Sequence, residues 1–88
     1  MYDDLRRVLR QSQQLVGWYA LGDALRLSQA IEIVSTNHEN DPENPDTREE
    51  LFKVAERANE FLRRMGNNKS PKTLNELQTL LTCIELEM

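Results

Sequence analysis

The sequence predicts an all-α fold: a single domain over residues 1–88, built as one compact bundle of four to six antiparallel helices. Three observations lead there. Apolar residues recur at three- and four-residue steps along most of the chain, the period of one helix face. Capping signals flank those stripes: an Asp/Thr start, a Ser-Pro start and a Gly stop. Three glycines and three prolines in 88 residues leave little room for the tight turns of a β-fold.

Each element has its own reasons. Leu5, Val8, Leu9, Ser12, Leu15 and Val16 share one face of a first helix, with Asp3 and Asp4 at its start and Gly17 as the break. A second helix is expected to carry Trp18, Leu21 and Leu25 inward, with Ser28 capping a short third helix that contains Ile31 and Val34. One continuous helix is the alternative reading, because Ala24, Leu27, Ile31 and Val34 also keep helical spacing and no Gly or Pro forces a break. The segment from His38 to Asp46 holds two prolines among polar residues and is expected to be a loop. A long helix follows from about Thr47 to Met65. Thr47 and Glu50 fit a capping box, and Leu51, Val54, Ala55, Ala58, Leu62 and Met65 share a face. Arg63 and Arg64 sit in its last turn, and Gly66 supplies a left-handed stop. After a loop over 67–69, Ser70-Pro71 or Thr73-Leu-Asn-Glu76 starts a last helix with Leu74, Leu77, Leu81 and Ile84 on one face and Leu80 and Cys83 beside it.

Composition excludes several classes of function. Eleven Lys/Arg against fifteen Asp/Glu give a net charge of −4, a poor match for a phosphate backbone, so no nucleic acid is expected as partner. No basic segment leads into an apolar one as in a secretory leader, and no apolar run is long enough for a membrane span. One cysteine permits no internal disulfide, which suits a reducing, cytoplasmic home. No catalytic set, metal site or cofactor is expected. His38 reads as an exposed loop histidine, and Cys83 reads as a buried structural thiol rather than a nucleophile. The spacing of Asp41, Glu43 and Asp46 lacks the glycine and final glutamate of a calcium loop.

What remains is the placement of charge. Six acids and one base lie between Glu39 and Glu50, and six bases and two acids lie between Leu51 and Lys72. A chain so divided can carry an acidic patch, with Glu39, Asp41 and Glu43, and a basic patch, with Arg57, Arg63 and Arg64. Such patches suit a protein partner, a second copy included, met through charge.

Two motifs sharpen that expectation. Trp18, Leu21, Gly22, Leu25, Leu27 and Ser28 stand in a W-x-x-L-G-x-x-L-x-L-S run that resembles the second helix and third-helix start of death domains. The stretch from Gly66 to Leu74, followed by Leu77 and Leu81, is similar to that family's turn before its fifth helix. Three features depart from the pattern. The loop before Thr47 is long, Phe61 or Leu62 replaces a tryptophan of the fourth helix, and little chain remains for a sixth. The resemblance implies a death-fold-like bundle, a non-catalytic adaptor in signalling, and assembly with other death-fold domains. It also implies a helix break at Leu27 or Ser28 and a Trp18 buried beneath the helix from Thr47. Separately, Leu27-Ser28-Gln29-Ala30-Ile31-Glu32 resembles the signature of the small aspartyl-phosphate phosphatases of sporulating bacteria (Spo0E-like). That likeness implies a helical regulator, bacterial or phage, docking on a response regulator or another target enzyme.

Overall fold

Asp3 and Asp4 open the first helix, where carboxylates favour the exposed amide ends, and Gly17 closes it. In the computed structural model, which describes residues 1–19, 22–66 and 71–87, this helix, α1, runs Tyr2–Val16. It is followed by α2 (Gly22–Asn40), α3 (Pro45–Arg64) and α4 (Pro71–Glu87), and no strand occurs among the described residues. The expected loop over 67–69, the cap Ser70, the base Lys69 and Leu21 of the tryptophan motif lie outside the described residues.

Four stripes meet in one apolar core. Leu5, Val8, Leu9 and Val16 come from α1, Leu51, Ala55, Ala58 and Leu62 from α3, and Leu77, Leu81 and Ile84 from α4. These are the faces that the spacing predicted. From α2 come Ala24, Leu27, Ile31 and Val34, so the continuous reading of that segment holds. The expected break at Ser28 is absent. Ser28 is half-buried against α1, where Gln13 Nε2 donates to its carbonyl at 3.0 Å, and nothing in the local sequence interrupts the helical hydrogen bonds. Two residues expected inside lie outside. Trp18 is 67% exposed and Leu25 63% exposed. Past Gly17 the chain turns with Tyr19 inward, its ring edge-on to Phe61 at 5.5 Å, and the neighbouring indole is therefore directed out.

The expected loop from His38 to Asp46 shrinks to residues 41–44: His38, Glu39 and Asn40 complete α2, and Pro45 and Asp46 open α3. The rule that residues before proline avoid the helical region acts only on the immediate neighbour. Asn44, before Pro45, has ψ 122° as that rule requires, yet it also caps α3: its Oδ1 accepts from Asp46 N at 2.8 Å. Pro45 then takes the first helical position, where a missing amide hydrogen costs nothing. The expected capping box at Thr47 is thus displaced. Thr47 Oγ1 instead donates to the carbonyls of Asp41 and Asn44 at 2.7 and 2.9 Å. At the far end of α3, Gly66 has φ +61°, the left-handed conformation expected of it. Cys83 is exposed rather than buried. It is adjacent to buried Ile84, and neighbours on a helix point about 100° apart.

The packing graph fixes the topology. The helices α1 and α3 each pack closely on all three others, whereas no Cα of α2 comes within 8 Å of a Cα of α4. Helices α1 and α2 run antiparallel, because Arg6, Arg10 and Gln13 reach His38, Glu32 and Ser28 in reverse order. Helix α3 runs back along α2, with Arg48 near His38 at one end and Arg64 near Asp23 at the other. The Cα radius of gyration is 12.1 Å, matching the roughly 12 Å expected of a compact chain of this length.

Candidate functional site

The basic residues anticipated from sequence are only partly brought together. Arg57 and Arg64 line an open hollow between α2 and α3, whereas Arg63 does not border it. The cause is helical period: Arg57 and Arg64 are seven residues apart and share a side of α3, and Arg63 is turned about 100° from Arg64. Lys53 and Arg26 join them in the hollow, interleaved with Asp23, Glu56 and Glu60. Lys53 was legible from its spacing to Arg57. Arg26 needed the antiparallel packing of α2 on α3. Local pairs temper this charge: Lys53 Nζ lies 3.0 Å from Glu49 and Arg26 3.8 Å from Asp23. Arg57, Arg63 and Arg64 form no ion pair among the described residues.

The acidic set lies at the opposite end of α3, and its members are engaged in building the turn from α2. Asp41 Oδ2 accepts from Asn44 Nδ2 at 3.0 Å, and Glu43 pairs with Arg48 at 3.3 Å. Glu39 lies 3.9 Å from Arg10, which also holds Glu32 at 3.0 Å. Exposed pairs of this kind contribute ~0–1 kcal/mol each, so they orient the turn and the α1–α2 edge more than they stabilise the fold. The acidic and basic patches are therefore distinct in character: one is structural trim, the other is uncommitted charge.

The same end contains a residue that sequence reasoning misplaced. His38 is fully buried, at the last turn of α2. Arg6 Nη1 lies 2.9 Å from its Nδ1. A guanidinium only donates, so Nδ1 accepts and the neutral ring carries its hydrogen on Nε2, where no described protein group receives it. Burial first, then the Arg6 guanidinium, push its pKa below the usual histidine value. Tyr2 packs beside this ring, and Arg48 lies over the Tyr2 ring at 5.1 Å. Among the described residues no three His, Cys, Asp or Glu side chains converge as a metal would require, and no helix is long and apolar enough to cross a membrane.

The most unusual surface is the outer side of α2. Once Ala24, Leu27, Ile31 and Val34 are committed to the core, two further apolar residues remain on the same helix. Leu25 is 63% exposed and Ile33 60% exposed. They stand two turns apart with exposed Gln29 between them and Thr36 beyond. The sequence contained this signal as surplus apolar residues on a helix whose inner stripe was already complete. Comparison of the chain with protein-family models, with curated proteins and with solved structures finds no match.

Proposed function

We propose that this chain is a protein–protein interaction module without catalysis of its own, and that it meets its partner through the outer side of α2 and the charged hollow beside it. The observation that carries this reading is the exposed pair Leu25 and Ile33 on the outer side of one helix. Single exposed apolar side chains are ordinary. Two on the outer side of one helix, beside a hollow holding Arg57 and Arg64, which form no ion pair among the described residues, form the apolar centre and polar rim of a contact surface. An adaptor role of the death-fold kind, with related helical domains as partners, belongs to this proposal through the motif at Trp18. Its support is reduced, because α2 runs unbroken through Ser28 and Trp18 is exposed.

The test is a pull-down from the native source with three variants compared by circular dichroism. Ile33→Asp and the pair Arg57→Glu with Arg64→Glu should lose the partner while keeping the helical spectrum. Arg63→Glu, outside the hollow, should keep it. The charge-reversal effect should shrink as salt rises, since screening acts within roughly 8–10 Å. A bound set unchanged in all three variants sinks the reading.

A second reading has one observation in its favour. The helix is continuous across Leu27-Ser28-Gln29-Ala30-Ile31-Glu32, as docking on a response regulator through that signature would need. Faster loss of phosphate from a phosphorylated response regulator, abolished by Gln29→Ala, would select it over the first.

A further inference from the structure

We propose that the partner on the outer side of α2 is a second copy of this chain, with the two α2 helices lying parallel about a two-fold axis that runs along them. This rests on the interaction reading above and names the partner.

The composition of the line is the first support. Leu25, Gln29, Ile33 and Thr36 are all exposed and all uncharged, in a chain of which 30% is charged. These residues form a strip about 80° wide on α2, and a two-fold interface about this axis sets that strip against its own copy. A charged residue there would face its like. Leucine and isoleucine meeting their copies bury apolar surface. A glutamine amide carries both a donor and an acceptor, as a threonine hydroxyl does, so each can bond its counterpart.

The flanks choose the direction. On the α1 side of the line stand Glu32 and Glu39, two carboxylates against the single guanidinium of Arg10. On the α3 side Arg26, Lys53, Arg57 and Arg64 stand among Asp23, Glu56, Glu60 and the Glu49 that pairs with Lys53, so this side is balanced where the α1 side is acidic. A parallel pair places the α1 side of one copy against the α3 side of the other. An antiparallel pair places each side against itself, acid on acid. Heights agree as well. The end of α3 borders the start of α2, so, counting at one helical rise per residue, Lys53 and Arg57 stand near the level of Ile33 and Gln29. In the parallel pair they face Glu32 of the second copy.

Sedimentation of the whole chain from low to high micromolar concentration should show a monomer–dimer equilibrium. Ile33→Asp should weaken it on the order of tenfold or more, about 1.4 kcal/mol per decade. Glu32→Lys alone should weaken it, and adding Lys53→Glu in the same chain should restore it. Direction is read by oxidation in a Cys83→Ser background. Chains with Ile33→Cys should cross-link to each other, and a mixture of Leu25→Cys with Ile33→Cys chains should yield no mixed product. A monomer at every concentration, or a mixed cross-link, overturns the proposal. If the chain is monomeric but Ile33→Asp still abolishes capture of another protein, self-association has failed and the interaction reading stands. If capture is also indifferent to Ile33→Asp, both have failed.

Discussion

At the scale of single residues, His38 shows how a local environment sets chemistry. Its ring is buried against Tyr2 and holds Arg6 on Nδ1, so a second proton would be taken up without solvent and beside a cation. In the unfolded chain it titrates near 6.5, and in the fold its pKa is lower. Below that ordinary value the unfolded state binds the proton first, so stability linked to His38 is present above pH ~6.5 and is lost as pH falls from there through the lower folded-state value. The thermal midpoint should therefore drop between about pH 7.5 and pH 5.5, and His38→Gln should flatten that part of the profile. Parallel profiles for parent and variant would remove His38 as the titrating group. This residue is hidden in the sequence because the prolines at 42 and 45 extend the expected loop back to His38. Proline restrains one preceding residue, not the three between His38 and Pro42. Trp18 was misread for a similar reason: its spacing to Leu25 is helical, but the turn after Gly17 resets the phase, and Tyr19 takes the inner place.

Among the elements, α1, α3 and α4 were legible because their apolar stripes are clean and one-sided. The helix α2 was less so, because its apolar residues fall on two sides, and the second side supplied Leu25 to a false inner stripe. The start of α3 was legible by a rule applied elsewhere in the same chain. A polar residue before proline reads as a helix start at Ser70-Pro71, and Asn44-Pro45 is the same signal. Two substitutions in α3 separate cap from core. Asn44→Ala removes the capping bond and the exposed bond to Asp41, and should cost about 1 kcal/mol. Leu62→Ala empties a fully buried position and should cost ~2–5 kcal/mol. Chemical denaturation of both variants gives the comparison. A cap variant more damaging than the core variant would show that the α2–α3 turn, rather than the α3 stripe, holds the helix in place.

For the molecule as a whole, the candidate surface was half legible. The sequence places Arg57, Arg63 and Arg64 close together by number, but the helical period divides them, and only packing against α2 adds Arg26 to the hollow. The acids near Asp41 were equally plain by count, and only the folded turn shows them occupied with Asn44 and Arg48. The backbones of α2 and α4 nowhere come within 8 Å of each other, Cα to Cα, and this has a bearing on how the molecule breathes. Each is a separate wing attached to the α1–α3 pair, so opening of one need not expose the other. Amide hydrogen exchange should then report two independent sub-global openings. Leu81→Ala, which loosens the buried face of α4, should speed exchange of α4 amides at low denaturant and leave the rates of α2 amides where they were. Equal acceleration in both helices would mean that the wings open as one unit. If they open separately, a molecule that uses the outer side of α2 can hold a partner there while α4 frays and recloses on the far side.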